Sequence, residues 1–299
     1  MWIYLGLVSA LLLGSYDVCQ KHALNKNAVL PVLLFSVCTG AVLMLLIFAL
    51  SRLAPETMQQ HCCYVPPATR SEHLHIFFKS CIVCVSWVLT YFSMKHLPIS
   101  IAAPIRASSP VWTLLCAVLF FGERPDPAQW TGMLVVFISY YIFSVAGRKE
   151  GVVFHRNGWV LLIFTATLIG AGSVLYDKYL LQQLRYTPML VQFWFSVYNA
   201  ILIAGVVAIA WWPRREKLTK FRWRWTIPLI GLFLLVSDFA YFNAIREPDA
   251  LASVLSVVRR TGVIVSFTSG ALLFGETNIR RKIIALAGIL AGVILIILF

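Results

Sequence analysis

The sequence predicts an all-α integral membrane protein, with ten transmembrane helices arranged as two inverted five-helix repeats. Three observations carry that expectation. Of the 299 residues, 60% are hydrophobic and only 12% are charged, about half the charged fraction of an ordinary soluble domain. Apolar runs long enough to cross the hydrocarbon, which takes about 20 residues of helix, follow one another almost end to end. The stretch IRASSPVWTLLCAVLFFGE, from Ile105 to Glu123, returns as VRRTGVIVSFTSGALLFGE, from Val258 to Glu276, and such self-similarity marks a duplicated unit.

The spans follow from apolar length and from the punctuation between runs. The first, Trp2 to Ala23, lacks the basic leader and small-residue cleavage site of a signal peptide and reads as a retained helix. Ala28 to Leu50 follows after a short polar joint. A long loop precedes the third span, Ile76 to Met94, and Pro98 separates it from the fourth, Ser100 to Phe121. Gly122 ends that run, and the joint ERPDP leads into the fifth, Trp130 to Val145. The polar joint GRKEGVVFHRNG divides the chain near its middle. Beyond it run Trp159 to Leu181, Met189 to Trp212, Trp225 to Ala244, Ala252 to Phe274 and Ile283 to Phe299. Residues 1–299 are thus one transmembrane domain, with a first repeat over 1–147 and a second over 158–299.

The two halves match beyond hydropathy. One shift superposes Arg106 on Arg259, Leu119 on Leu272, Phe121 on Phe274, and Gly122-Glu123 on Gly275-Glu276. Near the start of each half, GSYDVCQK (Gly14 to Lys21) faces AGSVLYDK (Ala171 to Lys178). Five is an odd number of crossings, so consecutive copies enter the membrane from opposite sides and the repeats are inverted. Inverted repeats around a midplane site are the architecture of many secondary transporters, which work by alternating access.

HLPISIAAPIRASSPVWTLLCAVLFFGERPDPAQWTG resembles the helix-4 block of EamA-type members of the drug/metabolite transporter superfamily. LASVLSVVRRTGVIVSFTSGALLFGE resembles the matching helix-9 block, and LLGSYDVCQKHAL the first helix. The resemblance implies a ten-helix carrier whose central cavity is lined by helices 1, 3, 4, 6, 8 and 9, with helices 5 and 10 peripheral. It is nearly silent about substrate, since related members move amino acids, cationic drugs, nucleotide-type metabolites and organic phosphates.

The formal charge of +13 sits in the joints, so it speaks of topology and not of nucleic acid. Fifteen lysines and arginines fall in the first-second, third-fourth, fifth-sixth, seventh-eighth and ninth-tenth joints, against six on the opposite side. The richest joint is WWPRREKLTKFRWRW, with Trp211, Trp212, Trp223 and Trp225 as interfacial anchors. By the positive-inside rule that side is cytoplasmic and both termini of this plasma (inner) membrane protein face out. The family resemblance implies the reverse orientation, but neither terminus carries a basic anchor beyond its last helix, and the charges favour both termini outside.

Five of the seven cysteines lie inside apolar segments, where a thiol behaves as a small hydrophobe. CIVC at Cys81–Cys84 has redox spacing but neither a βαβ context nor a second ligand pair. Cys62, Cys63, His61, His73 and His75 make a loose loop cluster that reads as solvated. No cofactor or metal is expected. The partners expected are a small solute and the bilayer, with the chain a monomer or homodimer; Gly288 and Gly292 form a GxxxG that suits an internal helix contact.

The arginines carry the functional reading. A charge deep in a bilayer persists only where water, a counter-charge or a ligand meets it. Arg106 falls about 12 Å along the helix from Pro98 at 1.5 Å per residue, and Arg259 is its counterpart from the other face. Together they suit the two ends of one anionic solute. Helical neighbours of Arg106 are Ser109, Thr113 and Cys116, and those of Arg259 are Gly262, Ser266 and Ser269, two stripes of small or polar residues. Pro110 is expected to loosen helix 4 beside them. Trp87 and Tyr91 share a face of helix 3, Asp238 and Tyr241 a face of helix 8, and Tyr16 and Tyr176 hold similar places in helices 1 and 6. These complete the expected solute site. Asp17, Asp177 and Asp238 are the intramembrane acids, with Lys21 and Lys178 as nearby cations. Arg260 points about 100 degrees from Arg259 and is expected to face elsewhere, and the two Gly-Glu pairs read as helix termination and helix-helix register, at ends where a glutamate can be solvated.

The function these features predict is secondary transport of a small anionic or zwitterionic metabolite. One alternative is proton-coupled export of cationic or amphipathic compounds through Asp17 or Asp238. Another is a membrane enzyme acting on lipid-linked phosphate, but the spans hold no HExxH, paired carboxylates or dense His/Asp cluster, so enzymatic activity is not expected. A non-transporting assembly subunit is the third.

Overall fold

The structure, a computed structural model, describes residues 1–60, 63–96, 105–106, 108–145, 158–216, 218–262, 264–265, 284, 287–292 and 294–295. Among the described residues every regular element is a helix. Nine long elements follow in order: α1 Trp2–Leu24, α2 Val29–Leu53, α3 Arg70–His96, α4 Ser109–Phe121, α5 Pro127–Val145, α6 Gly158–Lys178, α7 Pro188–Val206, α8 Thr226–Arg246 and α9 Ala252–Arg260. Among the described residues six helices are long and apolar enough to cross a membrane, and Ser109–Phe121 is a shorter apolar one. Of the expected tenth span, residues 287–292 are helical. α6 and α7 both run on into one turn of wider i→i+5 bonding, Tyr179–Gln183 and Val207–Trp211.

Two boundaries differ from expectation for local reasons. α3 begins at Arg70, ahead of the expected Ile76, because Thr69 and Glu72 form a capping box. The Glu72 carboxylate accepts from the Thr69 N–H at 2.7 Å and from its hydroxyl at 2.8 Å. α4 starts at Ser109, with Pro110 in its first turn, where a missing N–H costs nothing. Ser108 turns the chain there by donating its hydroxyl to the Ile105 carbonyl at 2.7 Å. Pro110 thus stands where the helical path breaks, between the helical residues 105–106 and α4, and Arg106 lies just ahead of that break. Most of the ninth span beyond Gly262, including Ser266, Ser269 and Gly275-Glu276, lies outside the described residues.

Besides its buried apolar clusters, the bundle turns many large apolar side chains outward. Leu11, Leu46, Phe78, Leu161, Ile201 and Ile209 are exposed, whereas Lys79, Glu123, Asp177, Gln192 and Asn199 are buried. A surface of this kind suits lipid, where apolar groups carry no penalty and polar ones do. The principal packing pairs are α1 with α8, α3 with α6, α1 with α9, α4 with α6, α2 with α8, α3 with α7, α2 with α7, and α4 with α9. Exchanging each helix with the one five places along leaves this set unchanged.

The joints gather at two ends. At one, Asn27 donates to the Arg222 carbonyl at 2.6 Å and accepts from the Arg222 N–H at 2.7 Å, while Arg224 donates to the His22 and Asn25 carbonyls. That end holds the α1–α2 and α7–α8 joints. At the other, Gln182 donates to the carbonyls of Ile245 and Glu247, both at 2.8 Å. Lys26 and Arg185, one in each half, take positive φ of 51° and 55° as the chain leaves α1 and α6.

Glycine closes helix crossings among the described residues. A Cβ on Gly262 would lie 2.3 Å from the Ala10 carbonyl oxygen and 3.0 Å from the Gly14 nitrogen, so α1 meets the end of α9 backbone to backbone. Gly288 and Gly292 face α5 in the same way, against Ser139 and Val136, so this GxxxG makes an internal contact. Gly262→Ala is expected to cost about 1–3 kcal/mol as overpacking, read as a lower unfolding midpoint in detergent. Gly205→Ala, whose Cβ meets nothing within 4 Å, is expected to leave the midpoint unchanged or raise it.

Candidate functional site

Helices of both halves enclose a cavity of about 400 Å³. Each contributes one stripe at helical spacing: Leu13, Tyr16, Asp17 and Gln20 from α1; Lys79, Ser86, Trp87 and Tyr91 from α3; Gly170, Ser173 and Asp177 from α6; Asp238 and Tyr241 from α8; Ser256, Arg259 and Arg260 from α9. Arg106 and Ser109 close the wall. Its charged residues are four cations, Lys79, Arg106, Arg259 and Arg260, and three carboxylates, Asp17, Asp177 and Asp238.

The charges fall into two groups. Around Arg259, the guanidinium donates from Nη2 to Asp238 Oδ1 at 2.8 Å and from Nε to the Ser9 hydroxyl at 3.0 Å. Its carbon also stands 4.0 Å from the centre of the Tyr241 ring, a cation–π contact that strengthens as water is excluded. Ser9 is held in turn by Ser237, which donates to its carbonyl at 2.9 Å. In the same group Lys79, 1% exposed, pairs with Asp177 at 2.6 Å. The Lys79 ammonium lies 4.2 Å from the centre of the Phe195 ring and 4.0 Å from that of Phe242. The second group gathers Tyr16, Asp17 and Gln20 of α1 around Tyr91 and Arg106, with Gln20 donating to the Tyr91 hydroxyl. Arg106 and Asp17 both act electrostatically on Tyr16 and Tyr91.

Of the residues picked from sequence, Arg106, Arg259, Ser109, Trp87, Tyr91, Tyr16, Tyr241, Asp17 and Asp238 stand together on this wall. Thr113 does not. It is fully buried with its hydroxyl donating to the Ser109 carbonyl at 3.2 Å. Tyr176 turns outward to Phe78 and Tyr179, with ring centres 5.5 and 5.8 Å away. Ser266 lies outside the described residues. Arg260, expected to face elsewhere, also lines the cavity. Sequence reasoning passed over Lys79, although a lysine inside HIFFKSC, at the start of an apolar run, was a signal that could have found it.

The partner of Asp177 is Lys79 of α3, not the adjacent Lys178, because successive helical residues diverge by about 100 degrees. Lys178 reaches Glu123 at 2.5 Å instead. Glu123 is not solvated at its helix end: it is 5% exposed. Gly122, at φ 62°, ends α4 and turns the chain. The Glu123 carboxylate then accepts from the Ala252 N–H at 2.7 Å, the Ser253 N–H at 3.2 Å and the Ser253 hydroxyl at 2.5 Å. An anion at the start of α9 satisfies donors that the helix itself leaves unpaired.

The histidines of the loop cluster are engaged elsewhere. His73 Nδ1 lies 2.7 Å from the Tyr198 hydroxyl and His75 Nδ1 2.8 Å from that of Tyr186. His61 and Cys62 lie outside the described residues, among which no three His, Cys, Asp or Glu side chains are grouped to hold a metal.

Comparison with known proteins agrees with this architecture. Residues 1–145 match the EamA-like transporter family. An uncharacterized transporter of Archaeoglobus fulgidus is 23% identical over 211 residues, covering 70% of this chain and 68% of that protein. A solved structure, described only as the crystal structure of a protein, superposes with a TM-score of 0.74 at 15% identity, covering 99% of this chain and 96% of the other. At that identity the likeness speaks for the fold alone.

Glu123 joins three chain segments through one carboxylate, and its loss leaves the Lys178 ammonium buried without its counter-charge. Glu123→Gln is expected to destabilise the fold by about 3–5 kcal/mol. Adding Lys178→Met should return part of that loss. Thermal unfolding of the three proteins in one detergent checks both expectations.

Proposed function

We propose that this chain, a multi-pass membrane protein of the EamA transporter type, is a secondary carrier for a small anionic or zwitterionic metabolite. The observation that carries this reading is the excess of cations over carboxylates, among the described residues, in one cavity built from both halves. A cationic solute that drew on Asp238 would have to compete with Arg259 for it. An anionic solute instead meets a wall on which cations outnumber carboxylates among the described residues. Arg106 and Arg259 belong to the two charge groups, so one solute with two acidic or polar ends can engage both, with Trp87, Tyr16, Tyr91 and Tyr241 around its body.

Alternating access between two inverted repeats is the proposed mechanism. The invariance of the packing pairs under exchange of helices five apart supports it, as does the gathering of the α1–α2 and α7–α8 joints at the end opposite to that of α6–α7 and α8–α9. α1 and α6 then run in opposite directions, as inverted copies require. The basic α7–α8 joint is proposed to be cytoplasmic.

Counterflow into liposomes tests the reading. A charge-assisted hydrogen bond is worth about 1.5–3 kcal/mol, so Arg106→Gln is expected to raise the half-saturating concentration of a carboxylated or phosphorylated solute roughly tenfold to a hundredfold. Transport confined to cations, with Asp17→Asn or Asp238→Asn abolishing it and Arg106→Gln leaving it intact, would establish the proton-coupled exporter instead.

A further inference from the structure

A second cavity lies behind Asp238. It is small, about 30 Å³, and lies among α2, α7 and α8, enough space for a single water or a bare small ion. Trp87, Phe195, Leu234 and Asp238 form a wall common to both cavities. Asp238 therefore borders both a large, cation-rich chamber and a small one lined, among the described residues, by no lysine, arginine or histidine.

The small chamber is rich in acceptors. Gln192 and Asn199, both 1% exposed, stand seven residues apart on one face of α7. Their amide orientations are settled by their neighbours: Gln192 Nε2 donates to the Leu235 carbonyl at 2.6 Å and Asn199 Nδ2 to the Phe195 carbonyl at 3.1 Å. Flipping either amide would set oxygen against oxygen. The amide oxygens are thus the remaining ends, and both are buried without a hydrogen-bond partner among the described residues. Ser36, also on this wall, spends its one proton on the Leu33 carbonyl at 2.8 Å, which leaves its oxygen as a further acceptor. Buried acceptors of this kind call for a donor or a cation.

We propose that this chamber binds a dehydrated monovalent cation of sodium's size, held by Gln192, Asn199 and Asp238. Hard oxygen ligands suit such an ion, and a single carboxylate among neutral oxygens suits one positive charge better than two. The site is also placed to couple. A cation on the far side of Asp238 offsets the charge that now holds Arg259, and the guanidinium is freed toward the large chamber. Resting on the anionic-solute reading above, this makes the cation and the solute mutually strengthening, by the same factor in each direction.

Equilibrium binding of radioactive sodium (22Na⁺) to the purified chain in detergent, at pH 8 with choline as the balancing cation, tests the site without any solute. One saturable site per chain is expected. Asn199→Leu should weaken binding at least tenfold, whereas Asn199→Asp, which adds a second carboxylate, should keep or tighten it. Unfolding midpoints in choline alone separate loss of the ion from loss of the fold. Absence of saturable binding by the unaltered chain overturns the proposal and leaves water as the occupant, as does binding indifferent to both substitutions. Saturable sodium binding with no counterflow of anions keeps the cation site and removes the anionic solute. Anion counterflow unaffected by replacing sodium with choline, in a chain that binds no sodium, removes the cation site alone.

Discussion

An ionised side chain inside a membrane bundle must be answered within the protein, because lipid offers it nothing. The described ion pairs meet that constraint in different places. Lys79–Asp177 joins α3 to α6, Glu123–Lys178 joins the end of α4 to the end of α6, and Arg259–Asp238 joins α9 to α8. The first two bind one half of the chain to the other. Desolvating such charges is expensive, and their mutual attraction repays it only with close geometry and additional hydrogen bonds. Glu123 has those bonds from the first turn of α9, and Lys79 has two aromatic faces instead.

Two of these pairs line the cavity. Lys79, Asp177, Asp238 and Arg259 all lie on its wall, so the charges that hold the helices in register are also those a solute meets. Glycine contacts let the helices come close enough for this. At Gly262 and Gly14 the backbones of α1 and α9 touch, which brings Arg259 within reach of Ser9 and Asp238. The end with Glu123 is tied by a buried carboxylate, and the end with Asn27 and Arg224 by hydrogen bonds to backbone carbonyls and N–H groups. The cavity thus lies within a bundle fastened at both ends by contacts between the halves.

Much of the helical order was legible because hydropathy is additive along the chain. Each apolar run declares itself whatever it packs against, and the boundaries that moved were those set by caps: Thr69 and Glu72 lengthened α3, and Ser108 with Pro110 shortened α4. The clustering of Arg106, Arg259, Asp17, Asp238, Trp87, Tyr16, Tyr91 and Tyr241 was approached through periodicity, since residues three or four apart share a face. Thr113 and Tyr176 fit the same periodicities and still turn elsewhere, because a stripe says which residues face together and not toward what.

What the sequence determined by itself is therefore the membrane character, the order of apolar helices and the presence of charges that lipid cannot hold. Those properties depend on composition and on spacing within one helix. Only the tertiary structure decided that Asp177 answers Lys79 and not its neighbour Lys178, that Glu123 is buried at the start of α9, and that Gln192 and Asn199 line a small chamber with amide oxygens that have no hydrogen-bond partner among the described residues. Each of these depends on how far one helix is rotated and how closely it crosses another. Those quantities are set by packing between segments more than fifty residues apart or, for the amides of α7, against α2 and α8.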